Sequence, residues 1–208
     1  MPLKDDILCY HVPKCAGTSI TRAMNLHDLD DISPESCLYG DCSKYAGSSQ
    51  HAPASWIRKE KVQFSKSFVL LRHPVRRMVS EYYWKYQTWR NIGLEKEMSP
   101  SDVFLELCRK YSNSHTPAHD RHFMSQKVFL EGMDANTRIL CHETLSADWE
   151  KMYQNWNLKK LGWSRKLVRI NKSISRGIRK ISHKHKMEIA EIYADDFEFL
   201  KKFGIIAS

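Results

Sequence analysis

Three short apolar runs constrain the fold most: Ile7–Val12 (ILCYHV), Phe68–Arg72 (FVLLR) and Thr137–Glu143 (TRILCHE). Each is too short for a buried helix and is bounded by turn residues, which suits strands of a sheet covered on both faces. Between them the pattern predicts helices after Thr18, over Val75 to Trp89, from Ser99, over Ser146 to Trp156, and from Ser182 to Phe203. Pro74 and Pro100 stand where a first-turn proline belongs, Ser99 with Asp102 resembles a capping box, and Gly204 is a stop. Strands alternating with helices predict an α/β fold. The expected architecture is three-layered, with a mainly parallel central sheet flanked by helices. At 208 residues and 42% hydrophobic content, the expectation is a single domain over residues 1–208.

The six cysteines lack the spacing of a disulfide scaffold and are read as reduced; Cys37 and Cys42 have no second ligand pair, so no metal is expected. No run reaches the roughly 18 apolar residues of a membrane span, and Asp5 and Asp6 fall where a signal peptide would be apolar, so a cytoplasmic location is expected. The net charge is +9, and between Lys159 and Lys186 there are eleven Lys or Arg and no Asp or Glu. Such a run faces solvent, an anion or both. The stretch 28–61, rich in Ser, Asp, Gly and Pro, is expected to be largely loop.

The turn after the first run reads Pro13-Lys14-Cys15-Ala16-Gly17-Thr18-Ser19. A turn entering a helix beyond the carboxyl end of a strand is where open α/β sheets bind anions. Gly17 allows close backbone approach, Lys14 brings charge, and Thr18 and Ser19 bring hydroxyls, although either hydroxyl also suits an N-cap. The lysine lies three residues before the glycine, unlike that of a Walker loop, which disfavours magnesium-dependent phosphate transfer. After the second run, Arg72 ends the strand and Ser80 lies two turns into the next helix, a guanidinium and a hydroxyl suited to a dianionic phosphate.

PKCAGTS and LRHPVRRMVSEYY together resemble the two cofactor motifs of sulfotransferases that use 3'-phosphoadenosine 5'-phosphosulfate (PAPS), in the branch containing heparan sulfate 2-O-sulfotransferase. HFMSQKVFL, LCHETLSADWEKMYQNWNL, RINKS and EIYADDFEFLKKFG resemble later segments of that family in the same order, so the likeness spans the chain. The resemblance implies a P-loop-like fold and a metal-free sulfuryl transfer to a hydroxyl or amine of a small-molecule or carbohydrate acceptor, releasing 3',5'-ADP. Residues 13–19 would hold the 5'-phosphosulfate, with Lys14 at the leaving oxygen. Arg72 and Ser80 would hold the 3'-phosphate, with Asn171 and Lys172 near the cofactor phosphates.

Of ten histidines, His51 is the expected base because the resembling branch carries a histidine in this interval; an imidazole also suits proton abstraction from a hydroxyl. His11, beside the phosphate turn, is the second choice. The resemblance places Gln126 on the acceptor or adenine side; the family often carries a histidine at the position of His11 too, which is read as structural, loop-orienting or substrate-binding, and His122 is read as lining the acceptor or adenine side. His115, His119 and His122 have metal-like spacing but polar neighbours without a carboxylate-rich shell, which favours a lining role. Cys15 stands where the family more often has threonine, and beside Lys14 it is a candidate for a reactive thiol. The competing readings are a nucleotide kinase and a basic domain binding nucleic acid or another polyanion through residues 159–186, of which nucleic acid is the less favoured partner.

Overall fold

The computed structural model describes residues 2–26, 39–40, 51–116, 121–168 and 180–206. They fall into two compact units, one of residues 1–71 with 129–170 and the other of residues 72–128 with 171–208.

The first unit carries the sheet. Its strands are β1 (Pro2–Lys4), β2 (Ile7–Tyr10), β3 (Tyr39–Gly40), β4 (Lys66–Leu71) and β5 (Arg138–Cys141), in the order β3-β1-β2-β4-β5. The pairs β1–β3, β2–β4 and β4–β5 are parallel, and only β1–β2 is antiparallel. The mainly parallel α/β fold expected from the sequence is therefore present. Three of the strands lie within the three apolar runs or overlap them. The short strand β1 was not foreseen, because three residues show no period. Its turn is Asp5-Asp6, both at positive φ (52° and 61°), between the paired residues Lys4 and Ile7. That is the conformation of a two-residue hairpin turn whose twist matches the strands, and Asp tolerates it better than most residues.

Phe68 to Leu71 are buried along β4. The ring of Phe68 meets Trp149 and Trp156 edge-on at 6.2 Å, while Trp149 stacks on Trp163. Trp163 donates from its indole to Asp5 at 2.7 Å, tying the β1–β2 turn to this aromatic cluster. Three helices complete the described part of the unit: α1 (Gly17–Ala23), α2 (Ala54–Lys59) within the stretch read as loop, and α7 (Leu145–Asn155), followed by a 3-10 turn at Leu158–Leu161.

In the second unit lie α3 (Pro74–Trp84), α4 (Tyr86–Glu95), α5 (Pro100–Tyr111), α8 (His183–Ile192) and α9 (Ala194–Lys201), with a four-residue helix α6 (Gln126–Phe129) starting at its boundary. Ser99 caps α5 as expected, accepting from the Asp102 amide at 3.2 Å. Two helices expected to be continuous are broken. Lys85 (φ −111°) separates α3 from α4, which packs along α5, and Tyr193 (φ −105°) separates α8 from α9. Tyr193 is fully buried, and its hydroxyl donates to the Phe123 carbonyl at 2.6 Å. Met78, Tyr82, Trp89, Phe104, Phe123 and Ile189 surround it in one core.

Candidate active site

The strand β2 runs into the turn 13–16, where Lys14 (φ 64°) and Ala16 (φ 69°) are both left-handed, a conformation in which backbone N–H groups converge. Ala16 is the N-cap of α1 and no side chain caps it, so the capping role considered for Thr18 and Ser19 is not observed. Both hydroxyl residues stand inside the first turn, Thr18 half-buried and Ser19 buried. Pro13 and Cys15 are buried. Cys15 is 1% exposed, which shields it from the alkylation that a reactive thiol would show.

Gly17 is needed for space. A Cβ there would lie 1.5 Å from His11 Nε2, so the imidazole occupies the volume that a side chain would take. His11 is also joined to His51: the two rings are 4.6 Å apart at 59°, and His51 Nδ1 lies 2.9 Å from the His11 carbonyl oxygen. A carbonyl can only accept, so Nδ1 carries the proton and, in the neutral ring, Nε2 is the basic nitrogen. His51 is buried at 4% exposure, just ahead of α2. The structure thus brings together Gly17 and the two histidines singled out as candidate bases.

The second unit presents a pocket of about 300 Å³ lined by Arg72, Val75, Arg76, Val79, Ser80, Tyr83 and Lys186. Arg72 and Ser80, chosen from their spacing, face the same cavity. Pro74 starts α3 at its first turn, and one helical face then carries Arg76, Val79, Ser80 and Tyr83 into the pocket. Residues one position away take the opposite course. Arg77 is fully buried, donating to the carbonyls of His122 (2.9 Å) and Met124 (2.7 Å), and Glu81 is buried against His122 Nδ1 at 2.7 Å. Trp84 stacks on the His122 ring at 5.1 Å.

Gln126 is fully buried and both ends of its amide engage the Arg72 backbone: Oε1 accepts from the Arg72 N–H at 3.0 Å, and Nε2 donates to the Arg72 carbonyl at 2.8 Å. The side chain therefore acts as a strand neighbour to Arg72, and its geometry is that of a positioning residue. Its own backbone is held by Asp196, whose carboxylate accepts from the amides of Gln126 (3.0 Å) and Lys127 (2.9 Å). Burial raises the Asp196 pKa, an effect opposed by the Arg77 charge and by these amides.

Asn171, Lys172 and His119, like Cys37 and Cys42, lie outside the described residues. No group of His, Cys, Asp and Glu placed to hold a metal occurs among the described residues, and no described helix is long and apolar enough to cross a membrane. Sequence reasoning missed Arg76 and Lys186. Lys186 closed the basic run, but nothing local to it distinguishes it from its neighbours.

The first unit is thus a mainly parallel α/β sheet whose strand β2 leads into a glycine-containing turn, and the second unit carries a pocket with two arginines and a lysine, a lining suited to an anion. A family model described as the sulfotransferase family matches residues 2–203, so the chain belongs to that family and is an enzyme that transfers a sulfuryl group. Comparison with curated proteins and with solved structures gave no significant match.

Proposed function

We propose that the enzyme takes its sulfuryl group from PAPS and passes it to a hydroxyl or amine of a small-molecule or carbohydrate acceptor. The observation that carries this reading is the pocket in which Arg72 and Ser80 stand together, joined by Arg76 and Lys186. Two guanidinium groups, an ammonium and a hydroxyl match a terminal phosphate in charge and in donor number, and the apolar faces of Val75 and Val79 strengthen each charge interaction. Arg72 and Ser80 are assigned to the 3'-phosphate. The turn 13–19 is assigned to the 5'-phosphosulfate.

The donor supplies the sulfuryl group and leaves as 3',5'-ADP. His51 Nε2 takes the proton from the acceptor as the acceptor oxygen or nitrogen forms its bond to sulfur. The bond from sulfur to the bridging phosphate oxygen breaks, and Lys14 meets the charge that develops on that oxygen. His11 holds the His51 proton on Nδ1 through its carbonyl and thereby keeps Nε2 basic. Gln126 fixes the backbone from which the Arg72 guanidinium projects.

Isothermal titration with 3',5'-ADP tests the assignment. The wild type is expected to bind, and Arg72→Ala to weaken binding by about tenfold or more, the usual effect of losing a charge-assisted contact to phosphate. A wild type that does not bind, or an Arg72→Ala variant that binds equally well, would sink the reading.

A further inference from the structure

Six of the seven pocket residues come from Arg72 and α3, within twelve positions of one another; the seventh, Lys186, comes from α8. Resting on the PAPS reading, we propose that Lys186 is a ligand of the same phosphate, and that it makes the pocket discriminate in favour of nucleotides carrying a 3'-phosphate.

The placement of α8 supports a built contact over a passing one. The helix is capped by Ser182, whose hydroxyl accepts from the His185 amide at 3.1 Å. His185 Nε2 lies 3.1 Å from Asp102 at the start of α5, and Glu188 pairs with Arg109 further along α5. Ile189 is fully buried in the core. Residues on both sides of Lys186 are therefore anchored, so the backbone that carries its ammonium is fixed while the side chain reaches the cavity. Lining residues are Arg72, Arg76 and Lys186 with one serine, one tyrosine and two valines, so the lining itself, among the described residues, contains no carboxylate. A terminal phosphomonoester carries close to two negative charges at neutral pH, so a third cation adds to its attraction, and 5'-AMP has no 3'-phosphate to place there.

The neighbouring Lys184 provides the control. It lies on the same helix, is exposed and carries the same charge, but it does not line the pocket. Titrations of wild type, Lys186→Ala, Lys186→Arg and Lys184→Ala against 3',5'-ADP and millimolar 5'-AMP separate a specific contact from a diffuse field. Lys186→Ala is expected to bind 3',5'-ADP about tenfold more weakly, the scale of one charged hydrogen bond, and to bind 5'-AMP within about twofold of wild type. Lys184→Ala should stay within about twofold for both ligands, since Lys184 lies outside the pocket lining. Lys186→Arg should recover most of the loss. Unchanged 3',5'-ADP affinity in Lys186→Ala, equal losses in the two alanine variants, or an equal loss for 5'-AMP would overturn the inference. In the first two cases, strong binding by wild type and loss on Arg72→Ala would leave the PAPS reading standing.

Discussion

Gly17→Ala sets two opposed effects against each other on the first turn of α1. In a helix interior alanine is favoured over glycine by about 1 kcal/mol, so propensity alone predicts a more stable protein. The structure predicts the reverse. The added methyl would sit 1.5 Å from His11 Nε2 and 2.1 Å from Cδ2, and the ring would have to retreat by about 2 Å to reach ordinary contact. His11 is buried, stands against the His51 ring and has its carbonyl bonded by His51, so it cannot move alone. Overpacking of this kind costs about 1–3 kcal/mol, which offsets or exceeds the helix gain and leaves a net loss of up to about 2 kcal/mol. Urea denaturation at constant slope measures it. His11→Ala removes the obstacle, so Gly17→Ala should be neutral or stabilising in that background, and the double-mutant cycle should show coupling of about 1–3 kcal/mol. Additive effects, or a Gly17→Ala single variant more stable than wild type, would refute the claim that the imidazole occupies the glycine's side-chain volume.

Two further outcomes follow from the site and the scaffold. His51→Asn keeps a donor near the Nδ1 position and removes Nε2; turnover should fall by about 10²–10⁴, the usual contribution of a general base, with 3',5'-ADP affinity retained. Near-normal turnover would transfer the base role to His11. Ser99→Ala should cost about 1 kcal/mol at pH 7 through the lost α5 cap. The Ser99 hydroxyl is the main cause of the lowered Asp102 pKa, with His185 adding to it. A depressed carboxylate pKa contributes stability above the unfolded value near ~3.9 and loses it as pH falls through the folded value. The gap between wild type and Ser99→Ala should therefore narrow on acidification, as urea midpoints at pH 7 and pH 3 would show; a gap independent of pH would contradict the assigned cause.

The strands β2, β4 and β5 were legible because each is an apolar run, and burial in a covered parallel sheet leaves that trace. The hairpin of β1 and β2 was hidden because its turn uses Asp5-Asp6 with no glycine, and the acidic pair was read for what it excluded. The breaks at Lys85 and Tyr193 carry neither proline nor glycine, so the helical period runs through them. At the pocket, Arg72 and Ser80 were readable because both lie on one strand–helix unit, where spacing converts to geometry. Lys186 reaches the same cavity from an element more than one hundred positions later, and a single sequence holds no period that links them. Gln126 was picked out as a site residue, but its bond to a backbone could not be read, since main-chain partners leave no side-chain signature.

That Gln126 contact has a consequence for the order in which the chain matures. Arg72 is steadied by a residue 54 positions later, and Gln126 in turn by Asp196, a further 70 positions on. Contacts of such separation form after local ones, because the loops they close carry a larger entropic cost. A chain emerging from the ribosome can complete β2 and β4 while Arg72 still lacks its strand-like neighbour. On the proposed assignment of Arg72 to the donor phosphate, the backbone that presents its guanidinium is completed only once Asp196 is in place, and truncations before Asp196 are expected to lose 3',5'-ADP affinity in titration.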